Sequence, residues 1–481
     1  MAISVEKIDL NVLNMHTRFP FKYGIASLVA LPHLFVRATV SIDGVHEVGL
    51  AADGLPPKWF TKNPDAPFTA DLDEMLTVIH NACDLALEGD SADSVFDFWK
   101  KIYDRQNAWA GTTAYPPLLW AFGVSLVERA VIDAFCRAMG VTFAQAVREN
   151  RLGIRLGDIH RELEGKMPAD LLNGSARRSI TVRHTVGLAD PLTDDDIADE
   201  DRVDDGLPQS LAANIDVYGL THLKIKLCGD AALDQDRLQR IAGLMANQSR
   251  CAFTLDGNEQ YTEVAPFRTL WEAIESDASL SSFMQGLIFV EQPLHRDVAL
   301  SADAKAVLGE WSNRPPMIID ESDGSLDSST RALDCGYVGT SHKNCKGIFK
   351  GIANACLMAH RRQNDPDGTY ILSIEDLANV GPVALLQDLA VLATLGVDHS
   401  ERNGHHYFAG LHMYPETIQQ QILDHHGALY AGHDRGFPIL NVHDGMLNVE
   451  SVVDAPFGYG FELDTLQFTP LADWTADSLE L

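Results

Sequence analysis

The chain is expected to be an α/β protein: a modified (β/α) TIM-type barrel carrying an N-terminal α+β capping domain. Two observations lead there. Five apolar runs each end in a polar residue, Lys226, Asp256, Glu291, Asp320 and Lys343, at successive intervals of 30, 35, 29 and 23 residues. That is close to the roughly 31 residues per strand-helix unit of an eight-fold barrel of about 250 residues. Upstream, strand-like alternation gives way to helical spacing, the signature of a separate α+β unit.

Residues 5–52 alternate as strands do, as in Ile8-Asp9-Leu10-Asn11-Val12, and Asp43-Gly44 reads as a hairpin turn. Helical spacing follows over 69–89 and 118–140, with Thr69 placed as an N-cap and Gly140 as a C-terminal stop. These elements make up a capping domain over 1–150. The run Ile180–Gly187 opens strands that alternate with helices, giving a catalytic barrel over 175–415. Between its first strands, 190–205 holds nine Asp or Glu among sixteen residues and reads as a solvated loop. Beyond Tyr414 the text turns to short strands and turns, so 416–481 leaves the barrel.

Bulk properties exclude several partners. A net charge of −31 repels phosphate backbones and anionic lipid, arguing against nucleic acid and membrane surfaces. The first residues lack a leader pattern and no run nears about 18 uncharged apolar residues, which points to a cytoplasmic protein. Seven cysteines without Cys-x-x-Cys spacing suggest reduced core residues.

The strand ends carry the chemistry. Lys224 and Lys226 are two apart and so share a strand face, where like charges lower each other's pKa and can make a base near pH 7. Asp256, Glu291 and Asp320 follow apolar residues, where a lone carboxylate is costly to bury. A cation should compensate them, and oxygen-only ligands suit Mg²⁺ over zinc. The calcium-loop start at Asp256-Gly257-Asn258 fails at its sixth and twelfth positions, Tyr261 and Phe267. No Gly-x-Ser-x-Gly elbow, Walker loop or His-Glu-x-x-His helix is present.

In these residues the chain resembles the enolase superfamily, in its mandelate racemase and muconate lactonizing branch. The matching pieces are Lys224-Ile225-Lys226, Asp256-Gly257-Asn258, Val290-Glu291-Gln292-Pro293, Asp320-Glu321-Ser322 and Ser341-His342-Lys343, in order. The resemblance implies a C-terminal segment returning to the cap, a homo-oligomer, and a small-molecule carboxylic acid substrate. It implies Mg²⁺ on Asp256, Glu291 and Asp320, with proton abstraction α to the carboxylate through an enediolate. Lys226 would be the base on one face, helped by Lys224, and Lys343 would serve the other. A single glycine follows Lys343, so Lys346 competes for that role; register with Ser341 favours Lys343. Lys22, Tyr23, Lys58, Asn258, Glu321, Glu375 and His399 are the candidate substrate-binding or supporting residues. Hydroxyl-binding and cationic groups among them, with Arg402, tilt the expectation to an acid-sugar dehydratase over a racemase, epimerase or cycloisomerase. A metal-binding barrel without catalysis is a remote alternative, disfavoured by the presence of Lys226 and Lys343.

Overall fold

The computed structural model describes residues 1–480 except 173, 247 and 249. Its first three strands form an antiparallel meander: β1 (Ile3–Tyr23), β2 (Ala26–Ile42) and β3 (Val45–Gly54). Asp43 and Gly44 both take positive φ, 49° and 82°, with Ile42 opposite Val45. This is the two-residue hairpin geometry that Asp-Gly favours.

Helices Phe68–Glu88, Val95–Ala110 and Pro117–Met139 back this sheet. The first begins after Pro67, so Thr69 lies within its opening turn instead of capping it. The second had no counterpart in the sequence reading. The third ends at Gly140 in the left-handed region, as expected. It passes so close to the first that a Cβ on Gly123 would stand 2.3 Å from the Val78 carbonyl oxygen. Glycine is required there.

Eight parallel strands follow: β4 (Ser179–Val186), β5 (His222–Lys226), β6 (Ala252–Asp256), β7 (Leu287–Glu291), β8 (Met317–Ile319), β9 (Gly339–His342), β10 (Ile371–Ile374) and β11 (His399–Arg402). Ladders run from β10 down to β4 and on to β11. Between β10 and β11 there is no ladder among the described residues; Ser400 Oγ donates to Ile374 O at 3.3 Å across this seam. Lys226 pairs with Asp256 and Asp256 with Glu291, so three of the predicted strand ends are level.

Within the segment 150–178, residues 156–171 form short helical turns against the helix Ile348–Asn364, where His160 Nε2 lies 2.9 Å from Asn354 Oδ1. The acidic loop 190–205 is tied down by arginines, Arg18 to Asp205, Arg240 to Asp196 and Arg435 to Asp204. Near the end, Thr469 pairs with Val12 on β1 and Trp474 Nε1 donates to Asn14 Oδ1 at 2.8 Å. No helix among the described residues is long and apolar enough to cross a membrane.

The cap seats on the barrel mouth through buried polar contacts. Glu128 accepts the amides of Ile348 and Phe349 at 3.0 and 2.8 Å, satisfying donors that open the helix behind Lys343. Arg296, just past β7, donates to the carbonyls of Phe60 and Trp59 at 2.6 and 2.9 Å and to both oxygens of Glu259. This grip fixes Trp59 over the mouth.

Candidate active site

A narrow pocket lies between cap and barrel. Phe21, Tyr23, Leu28, Pro56 and Trp59 form an apolar roof, while Lys226, Asp320, Lys343 and Glu401 rise from strand ends below. β5 and β9 are four strands apart in an eight-strand ring, so Lys226 and Lys343 face each other across it. Each holds one carboxylate: Lys226 Nζ donates to Asp256 Oδ2 at 2.6 Å and Lys343 Nζ to Asp320 Oδ2 at 2.9 Å. Trp59 stacks above, its ring centre 5.2 Å from Lys343 Nζ.

Lys346 is placed differently. Its ammonium is buried and donates to Asp320 O and Oδ1 and to Ser341 O and Oγ, at 2.7–3.2 Å. With its donors spent and no share of the pocket wall, Lys346 is a brace, whereas Lys343 is open to a ligand.

Lys224 departs from expectation. A neighbouring lysine was expected to lower its pKa. Burial does act in that direction, but the carboxylates of Asp256, Glu291, Glu375 and Glu401 outweigh it and hold Lys224 well above the usual lysine range. It is a fixed cation here, not a base near neutrality.

The three carboxylates predicted as metal ligands are buried, on neighbouring strands. Burial alone would raise Asp256 and Asp320, yet Lys224 and Lys226 bring Asp256 below its ordinary value, and Lys343 and Lys346 bring Asp320 far below. Glu291 goes the other way, raised by burial and by Asp256 and Glu375. Its Oε2 accepts no hydrogen bond, although Lys224 Nζ stands 2.8 Å away. As the side chains stand, no three His, Cys, Asp or Glu among the described residues are arranged to hold one ion. The donor set still fits a hard divalent cation: oxygen-only, buried, and with an oxygen left unbonded.

Beside these carboxylates, Asn258 donates its amide to Asp256 Oδ1 at 2.8 Å and its side chain to Glu321 at 3.2 Å. Burial and Asp320 push Glu321 up to about 7. Other expected residues lie elsewhere. Lys22 is exposed and outside the pocket. Lys58 spends its ammonium on Asn63 O, Ala66 O and Asp71 at 2.5–2.6 Å. His399 begins β11 instead of ending it, so it sits at the far end of the barrel, 2.9 Å from Arg183. Arg402 is enclosed by Asp376, Asp388 and Ser400. Glu375 lies in the barrel interior, engaged by Arg183, Ser373 and Lys224.

No family model matches the chain, and no curated protein does. Solved structures do. A mandelate racemase/muconate lactonizing protein from Herpetosiphon aurantiacus superposes with a TM-score of 0.60 at 16% identity, covering 94% of this chain and 97% of that one. A muconate lactonizing enzyme from Pseudomonas fluorescens, complexed with muconolactone, gives 0.60 at 16% identity, over 97% and 98%. A dipeptide epimerase from Enterococcus faecalis V583, complexed with Mg and the dipeptide L-Leu-L-Tyr, gives 0.55 at 14% identity, over 92% and 99%.

The chain has the mandelate racemase/muconate lactonizing fold. On that fold, two buried groups escaped the sequence reading. Glu401, at the end of β11, sits in the polar run His399-Ser400-Glu401-Arg402, which carries no apolar signal. Arg183 was legible in principle: a lone arginine within the apolar run of β4 must find a buried partner, and here that partner is Glu375.

Proposed function

We propose that this chain is an Mg²⁺-dependent enzyme that moves the proton α to the carboxylate of a small acid with an apolar remainder, as a racemase or epimerase. The observation that carries this is the pair Lys226 and Lys343 facing each other across one pocket under an aromatic roof. Two proton carriers on opposite faces are what inversion at carbon needs. Asp256, Glu291 and Asp320 would hold the ion. When bound, it supplies the positive charge that a carboxylate needs on taking up a second negative charge.

The chain's own residues do the rest. Lys226 Nζ, free but for Asp256, takes the proton from one face. Lys343 is held well above the usual lysine range: burial alone would lower it, but Asp320, Glu291 and Glu401 together outweigh burial. It therefore stands as an ammonium able to deliver a proton from the other face. Phe21, Tyr23, Leu28 and Trp59 shield the reacting carbon from water and favour an apolar side chain.

The dehydratase expectation is set aside. It rested on Lys22, Tyr23, Lys58, Glu375, His399 and Arg402 as groups for a polyhydroxylated substrate. Of these only Tyr23 lines the pocket, where it belongs to the aromatic roof; the others do not, for the reasons of placement given above. Lactonizing enzymes and epimerases are among the similar structures.

The deciding experiment incubates the protein with Mg²⁺ in D₂O against N-acyl amino acids, hydrophobic dipeptides, muconates and aldonates. Deuterium at the α-carbon with loss of optical purity is the expected result. Loss of muconate absorbance alone would replace it by cycloisomerisation. Formation of 2-keto-3-deoxy acids detected with semicarbazide would overturn it in favour of dehydration.

A further inference from the structure

The barrel interior beneath the mouth is charged where such barrels pack branched apolar side chains. Lys224 Nζ lies 3.0 Å from Asp256 Oδ2, 2.8 Å from Glu291 Oε2, 2.7 Å from Glu375 Oε2 and 3.1 Å from Glu401 Oε2. The first two are assigned above to the cation. The last two are not, and both are anchored from behind. Glu375 Oε1 accepts from Arg183 and Ser373, which leaves Oε2 for the lysine. Glu401 Oε1 accepts from Thr185 at 2.8 Å, and its Oε2 accepts the Asp376 amide at 3.1 Å.

An ammonium has three N–H donors and here faces four carboxylates, so it can release some and keep others. It competes with a divalent ion for Asp256 and Glu291 more than Lys226, Lys343 or Lys346 do, because it alone contacts two of the expected ligands at once and like charges a few ångströms apart repel strongly in a buried site. We propose that Lys224 is a displaceable internal cation: it neutralises Asp256 and Glu291 until the divalent ion enters, then withdraws onto Glu375 and Glu401, which are positioning residues for ion uptake. This rests on the Mg²⁺ reading of the preceding subsection. It accounts for two carboxylates that neither line up with the ion nor are needed for the proton transfer. It also explains why Asp256 and Glu291 do not converge on one point as they stand: an ammonium lies between them.

The test is Mn²⁺ binding followed by electron paramagnetic resonance, with no turnover required. Wild type, Lys224→Met and Lys224→Arg are titrated. Lys224→Met should bind Mn²⁺ at least about tenfold more tightly than wild type, because the competing charge is gone. Lys224→Arg, which keeps the charge, should not tighten. Wild-type or weaker affinity in Lys224→Met overturns the proposal while leaving the Mg²⁺ reading intact, provided wild type binds. Binding by Lys224→Met alone would support it, and binding by neither would overturn both. Should Lys224→Met fail to fold, a wild-type crystal soaked in Mn²⁺ decides. The ammonium must then stand beyond about 3.5 Å from Glu291 while keeping Glu375 or Glu401; unchanged distances overturn the proposal.

Discussion

Replacing Lys346 by methionine should cost the fold more than replacing Lys343 by methionine, although the two ammoniums share one carboxylate. Lys346 satisfies four acceptors, two on Asp320 and two on Ser341. Removing its charge leaves Asp320 Oδ1 with Ser341 Oγ alone and takes one donor from each of two carbonyls in a dry site, and breaking a buried ion pair from one side costs about 3–5 kcal/mol. Lys343 makes one bond, to Asp320 Oδ2. With Asp320 still held by Lys346 and Ser341, its loss is that of a charge-assisted hydrogen bond, about 1.5–3 kcal/mol. The variants should separate by about 2 kcal/mol, seen as an earlier urea midpoint for Lys346→Met. In activity the order should reverse. Lys343→Met should stay folded and lose inversion, yet still exchange the α-proton of one stereoisomer through Lys226. Equal midpoints would refute the brace assigned to Lys346. A folded Lys346→Met without turnover, beside an active Lys343→Met, would show that Lys346 is the proton carrier.

Two further outcomes follow from the geometry. Arg296→Met should loosen the grip on Trp59 O and Phe60 O and raise KM for hydrophobic acids more than it lowers kcat; an unchanged KM would show that Trp59 stays in place without it. Protonation of buried histidines should cost the chain stability between pH 7 and 5, opposing the gain from protonating Glu128, Glu321 and Asp376, which burial pushes up to about 7. His33, His399 and His405 are lowered to about 3 and His342 to about 4, chiefly by burial. Their contribution is whole above the ordinary histidine value of 6.5 and is lost as pH falls below it, by up to about 1.4 kcal/mol per histidine per pH unit. His33→Gln should therefore lose less thermal midpoint than wild type between pH 7 and 5, and an equal loss would contradict this.

Spacing and pattern alone determined the strand ends at Lys226, Asp256, Glu291, Asp320 and Lys343, because an apolar run with a terminal polar residue is a local feature repeated at the period of a strand-helix unit. The Asp43-Gly44 turn and the Gly140 helix stop were equally local, each a matter of which backbone angles a residue tolerates. Side-chain partners were not local. The neighbours of Lys224 lie 67, 151 and 177 residues away at Glu291, Glu375 and Glu401. Nothing in Lys224-Ile225-Lys226 discloses them, so mutual repulsion of the two lysines was the natural reading, and tertiary attraction overrides it. His399 shows the same limit: its sequence neighbourhood marks a strand but not which end it occupies. Lys58 and Lys22 were assigned to the substrate from their cap loops, and only the packed structure shows one ammonium spent on Asp71 and the other turned to solvent. Local residue chemistry set where the strands end and which charges they carry. The choice of partner for each charge was decided by folding, since a buried ion takes whichever counter-ion the closed barrel brings within reach.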